Sequence, residues 1–207
     1  MHGIELINFK DVKRAIDRSL SDTKLGILEF GVSRDFGSSS HLYDIHKKFN
    51  VPLGLCDPNK DTLDNIKLEL KDEEGISFYY EKGEDLDDSY YKNIGLAHLD
   101  GFDIVTWHPH KQSTIDAYTS AGIDLLRDGN HFSALSHLQI AEKLLVNNPT
   151  GPMTILFDDT WWQKGIWKGK GATAIPYLLA NGFRCISKPS TSFYEPRKYK
   201  WGVAFER

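Results

Sequence analysis

The chain reads as an α/β protein with a doubly wound, mainly parallel sheet closed by a C-terminal antiparallel hairpin strand. Three observations predict it. Short apolar runs alternate with segments of helical period from residue 25 to residue 182. The first run ends in Glu29-Phe30-Gly31-Val32-Ser33 and continues to Phe36-Gly37-Ser38-Ser39-Ser40, which spells a strand, a tight turn of small residues and a helix start. The last two runs, 183–187 and 201–205, flank a long loop without helical period, so they pair as a hairpin.

The elements follow in order. Residues 9–20 place Phe9, Val12, Ala15, Ile16 and Leu20 on one helical stripe that packs on the domain. A strand is expected over 25–30, a crossover helix over 39–49 and a second short strand over 52–56. Asn59 or Asp61 can cap the next helix, which faces Leu63, Ile66 and Leu70 inward. Residues 76–80 are aromatic and β-branched and suit an extra strand or hairpin arm. A helix over 90–99 stopped by Gly101, a third main strand over 102–107 and a fourth over 123–126 complete the middle. A helix over 132–145, a buried strand over 153–157 and a helix over 172–180 follow, the last stopped by Asn181-Gly182. No linker divides the chain, so residues 1–207 are expected to form one domain.

Composition excludes several classes. The 207 residues carry a formal net charge of -4 with acids and bases interspersed, which makes no electrostatic case for nucleic acid or an anionic membrane. Lys164, Lys168 and Lys170 form a local basic group that could attract an anionic acceptor or solvate a loop. Cys56 and Cys185 sit inside apolar runs and read as buried free thiols of a reducing compartment. No basic-then-apolar leader is visible and no apolar run reaches the roughly 20 residues of a membrane span, so a cytoplasmic location is expected.

In an open α/β sheet, ligands bind outside the carboxyl ends of the strands. Acids sit at or just after several expected strand ends: Glu29, Asp57, Asp128, Asp158 and Asp159. A carboxylate aimed into the first turn is a poor neighbour for a pyrophosphate. Glu29 therefore favours a ligand with a positive group or ribose hydroxyls, which points to S-adenosylmethionine.

Taken together, Glu29-Phe-Gly31 with Gly37-Ser38-Ser39, Asp57 after the second strand, Asp128-Gly-Asn-His131 after the fourth and Asp158-Asp159 after the fifth resemble a class I S-adenosylmethionine-dependent methyltransferase with its Rossmann-like sheet. The nearest flavour is the small O-methyltransferase group with Asp-Gly-x-His and Asp-Asp motifs, and the resemblance spans residues 23–207. It implies a cofactor site of Glu29, Gly31, Ser33, Gly37, Ser39 and Asp57, with Asp57 accepting from the ribose hydroxyls. It also implies that Asp128, Asp158 and Asp159 hold a divalent ion such as magnesium, manganese or calcium. His131 would act as general base beside Asp128. The implied reaction is methyl transfer to an oxygen of a small-molecule or sugar acceptor, with a homo-oligomer compatible but not required.

Trp161, Trp162 and Trp167 can wall an acceptor pocket or form a lid. His108 and His110 follow the expected third strand and depart from the small or acidic residues usual there. Two rival readings stay open. An NAD(P)-binding oxidoreductase fits the small-residue loop, although the compact G-x-G-x-x-G spacing is absent. A non-catalytic interaction module of the methyltransferase fold is the other.

Overall fold

The computed structural model describes residues 3–21, 24–32, 37–70, 73–101, 112–120, 124–189 and 202–207; for residues 3–5, 113, 114, 117, 118 and 125–130 it describes the backbone alone. The helices among these are α1 (Lys10–Ser19), α2 (Gly37–Phe49), α3 (Lys60–Glu69), α4 (Gln112–Ser120), α5 (Leu125–Asn147) and α6 (Ala174–Ala180). The strands are β1 (Gly26–Phe30), β2 (Leu53–Cys56), β3 (Ile76–Tyr79), β4 (Ile94–Leu99), β5 (Thr154–Phe157), β6 (Thr160–Gln163), β7 (Ile166–Gly169), β8 (Arg184–Cys185) and β9 (Val203–Glu206).

Seven strands form one sheet in the order β3-β2-β1-β4-β5-β9-β8, and β6 pairs with β7 in a separate hairpin. The five strands from β3 to β5 are parallel, while β9 runs antiparallel between β5 and β8. Every residue of β1, β2, β4 and β5 is buried, as expected of parallel strands covered on both faces. One face packs Ile27, Leu53, Leu55, Leu96 and Leu156 under α1, α2 and α3. The other packs Leu28, Phe30, Ala97, Leu99, Ile155 and Phe157 under α5 and α6. The sheet is therefore doubly wound.

Most expected elements stand where the pattern puts them. Asn59 caps α3 through its side chain, which accepts from the Thr62 N–H. Residues 76–80 do supply a sheet strand, β3. The C-terminal hairpin forms as β8 and β9, and Gly182 ends α6 in the left-handed region with φ of 85°.

The middle of the chain differs. The segment expected as a helix over 90–99 holds a short 3-10 turn (Asp88–Tyr91) and then β4, the central strand. Its Leu and Ala residues favour a helix locally, but the tertiary slot between β1 and β5 overrides that preference. Gly95 shows how closely α1 covers that strand, because a Cβ there would lie 2.4 Å from the Ser19 carbonyl oxygen. The strand expected over 102–107 and the His108-Pro109-His110 loop lie outside the described residues. No strand occupies 124–126: Leu125 opens α5, a helix of 23 residues that absorbs the one expected over 132–145. Asn148 anchors its far end, accepting from the Ile94 N–H at 3.0 Å and donating to the Tyr91 carbonyl at 2.6 Å.

Cys56 is buried and free, whereas Cys185 is free but exposed. The two-residue strand β8 is the sheet edge, so its alternating side chains have no second layer to cover them.

Candidate functional site

Glu29 ends β1 fully buried, and its register partner on β4 is His98, also fully buried. Both project to the face covered by α2. The Ser39 hydroxyl in the first turn of α2 donates to Glu29 Oε2 at 2.6 Å, and His98 Nδ1 lies 3.0 Å from Oε1. Glu29 and Ser39 thus join the first strand to the first crossover helix. Burial works against the His98 cation, but the hydrogen bond and charge of Glu29, helped by Asp100 and Asp158, outweigh it and raise its pKa.

Gly31 follows β1 with φ of 82°. A Cβ there would come within 2.5 Å of the Asp100 carbonyl carbon and the Gly101 nitrogen, so the turn needs glycine on two counts. The next residue, Val32, donates its N–H to Asp57 Oδ2 at 2.9 Å. Asp57, just past β2, also accepts from the Asn59 N–H at 2.7 Å. Its carboxylate links the turn after β1 to the turn after β2 and leaves the capping of α3 to Asn59. Gly37 opens α2; Ser33 lies outside the described residues.

The ends of β4 and β5 hold a second set. Lys170 is 3 % exposed, and its ammonium donates to Asp100 Oδ1 at 2.5 Å and to the Asp100 carbonyl at 2.9 Å. Asp159 Oδ2 is 3.2 Å from the same Nζ. Burial opposes the Lys170 charge, but Asp100, Asp159 and Asp158 overcome it and raise its pKa. The neighbouring Asp158 is nearly buried, and burial followed by the Asp100 charge raises its carboxyl pKa against the pull of Lys170 and His98. One nitrogen of His98 and one oxygen each of Asp100 and Asp158 lie within 4.8 Å of one another.

The hairpin explains how Lys170 reaches the acids. Asp159 takes φ of 44° while its N–H bonds Asp158 Oδ1, and the chain leaves β5 into β6. Lys164 and Gly165 both have positive φ, as a two-residue hairpin turn demands. Strand β7 then returns the chain so that the Lys170 N–H donates to the Asp159 carbonyl at 3.1 Å. Gly169, at φ of 81°, passes so close that a Cβ would lie 1.9 Å from that carbonyl oxygen. Across the hairpin Trp162 pairs with Trp167, ring centroids 5.0 Å apart, and Trp167 packs edge-on over Phe205. The aromatic segment is thus an ordered hairpin beside the acid pair. Of the expected basic group, Lys170 turns inward, whereas Lys164 is exposed.

Asp128 and His131 do not follow a strand. They lie in the first two turns of α5, where His131 is exposed and the Asp128 side chain is outside the described residues. The helix is about 34 Å long at 1.5 Å per residue, while the strands beneath it have six residues or fewer. With its far end tied to the start of β4, its first turns extend past the carboxyl ends of the sheet. One turn further in, His137 is fully buried against the Phe157 ring, its Nδ1 2.6 Å from the Ser133 carbonyl. Burial, with the nearby Lys170 charge, pushes its pKa down to about 3.

The structure therefore brings together Glu29, Gly31, Ser39 and Asp57 on one side of the rim, and Asp158 and Asp159 on the other. Three participants escaped the reading of the sequence, His98, Asp100 and His137, and Lys170, expected only as part of a basic group, is the buried partner of the acids. For His98 and Asp100 a signal existed, an apolar run ending in Asp100-Gly101 like the other strand ends. For Lys170 the Lys-Gly turn between two Trp-containing runs was a hairpin signal. His137 carried none.

No protein-family model matches the chain, and no curated protein sequence does either. Solved structures do. An rRNA methylase from Streptococcus thermophilus superposes with a TM-score of 0.51 at 12 % identity over 96 % of each chain. A Streptococcus mutans protein described as a methyltransferase, in complex with SAH, gives 0.51 at 11 % identity over 96 % of this chain and 97 % of its own. NSun6 from Pyrococcus horikoshii with SFG gives 0.52 at 12 % identity, over 93 % of this chain and 49 % of its own. The shared feature at these identities is the architecture: the chain has the fold of class I S-adenosylmethionine-dependent methyltransferases.

Proposed function

We propose that the chain transfers a methyl group from S-adenosylmethionine to an oxygen of a small molecule or sugar. The observation that carries the reading is the joint between β1 and β2. Asp57 stands at the carboxyl end of β2, bonded to the N–H of Val32 just after the left-handed Gly31. An acceptor-only carboxylate beyond the carboxyl end of β2, one strand from the switch point between β1 and β4, suits a ribose diol.

Buried polar atoms support a ligand at this rim. Ser38 Oγ, His98 Nε2 and Ser133 Oγ lack a partner among the described residues. Each lies on an element bordering the rim: α2, β4 or α5. A buried polar atom left unsatisfied costs about 1–3 kcal/mol, and a polar ligand seated there would offset that cost.

When bound, S-adenosylmethionine supplies an electrophilic methyl on a sulfonium. The chain's own part is placement. Glu29 and Ser39 hold the β1–α2 corner, Asp57 orients the sugar end, and the Trp162–Trp167 hairpin offers apolar aromatic surface to an aromatic or sugar acceptor. His131, exposed on the part of α5 beyond the rim, is the base able to take the acceptor proton. No step is assigned to a metal.

Calorimetry with S-adenosylhomocysteine tests the reading. One-to-one binding is expected, weakened at least about tenfold in Asp57→Ala. A folded sample that ignores millimolar ligand overturns it, and binding of NAD instead favours the oxidoreductase alternative.

A further inference from the structure

We propose that the buried ammonium of Lys170 takes the place of a divalent cation at the β4–β5 rim, so that this chain excludes metal there. The inference rests on the methyl-transfer reading only in supposing that the rim faces the acceptor.

The resemblance implies a dication between carboxylates that follow the fourth and fifth strands. The set it names is Asp128, Asp158 and Asp159; Asp128 lies in α5, the carboxylate that follows β4 is Asp100, and a cation already sits between Asp100 and Asp159. Lys170 Nζ bonds both oxygen types of Asp100 and pairs with Asp159. This is a built arrangement. The β6–β7 hairpin returns the chain to Asp159, the Lys170 N–H bonds the Asp159 carbonyl, and only glycine fits at 169. The Gly171 N–H then bonds Thr160 Oγ1, whose hydroxyl donates to the Asp158 carbonyl, locking the segment after Lys170 to the acid pair.

The remaining donor group, His98 with Asp100 and Asp158, shares Asp100 with the ammonium. A dication there would compete with Lys170 for the same carboxylate and sit beside a fixed positive charge in a poorly screened site. Magnesium and calcium also need six or more oxygens around them. Here Lys170 already engages Asp100 of the set and Asp159 beside it, and one of the three donors that lie close together is an imidazole rather than an oxygen. The residues therefore do not fit a hard cation. They fit an ammonium, which supplies one positive charge and three donors without needing a coordination sphere.

Manganese titration followed by electron paramagnetic resonance tests this without any methyl donor, so it can fail while cofactor binding survives, and the reverse. Wild-type protein is expected to leave the free-manganese signal intact at millimolar concentration. Lys170→Met, which keeps the bulk and drops the charge, is expected to bind manganese at least about tenfold more tightly. If that variant does not fold, Lys170→Gln, which keeps a donor to Asp100, carries the same expectation. Stoichiometric manganese binding by the wild type that is lost in Asp159→Asn overturns the inference. So does a folded Lys170 variant that binds no better than wild type.

Discussion

The two sides of the rim treat their acids in opposite ways. On the β1–β2 side, Glu29 and Asp57 are held by a hydroxyl, an imidazole and backbone N–H groups. On the β4–β5 side, Asp100 and Asp159 converge on one buried ammonium. The first arrangement is spread over many weak donors from adjacent elements. The second concentrates charge on a single side chain delivered by a hairpin. A carboxylate at a strand end is therefore not one signal but two, told apart only by what faces it.

Four substitutions sharpen that contrast, from large effect to small. Lys170→Met removes the buried cation from the half-buried Asp100 and Asp159 and should cost about 3 kcal/mol or more of stability in urea unfolding. Glu29→Gln leaves Ser39 an acceptor but takes the counter-charge from His98, and should cost about 2–3 kcal/mol. A loss as large as that of Lys170→Met would erase the distinction between the two sides. Gly169→Ala should cost about 2 kcal/mol or more through its positive φ and its clash with the Asp159 carbonyl. Arg184→Ala is the control. Arg184 pairs with Glu206 from a side chain 76 % exposed, so less than about 1 kcal/mol should be lost.

The two buried histidines give the contrast a pH signature. His98 has a raised pKa, so its contribution is complete below about pH 6.5, the unfolded value, and is lost as pH rises through the folded one. His137 is the reverse. Its pKa is lowered to about 3, so its contribution is present above the unfolded value and is lost as pH falls toward that figure. His137 by itself should lower wild-type stability by about 2 kcal/mol between neutral pH and pH 5, partly offset by the gain at His98, and the drop should shrink in His137→Phe. An unchanged acid limb in that variant would remove His137 from the explanation.

Much of the layout is legible without coordinates. Apolar runs of four to six residues between helical stripes specify β1, β2, β3 and β5, because local hydrophobic period and turn residues agree there with the final sheet. Gly31, Ser39, Asp57 and the Asp158-Asp159 pair are readable for the same reason, since they punctuate those runs. The segment 90–99 is not readable in this way. A central strand buried on both faces loses its alternation, and its Leu and Ala residues suit a helix equally well. That one misplacement shifts the strand count, and it turns Asp128 and His131 from strand-end residues into residues of α5.

What the linear order of residues determined by itself is the class of the sheet, the sharp turn after β1, and the presence of acids at several strand ends. What only the tertiary structure decided is which charges meet. Lys170 lies far along the chain from Asp100, and His98 from Glu29, and both pairs exist because strand order and a hairpin bring distant segments together. A pattern of local period records which face of a strand or helix is covered. It holds no information about the neighbour across the sheet, and in a poorly screened interior that neighbour sets the charge and the chemistry of an ionisable side chain.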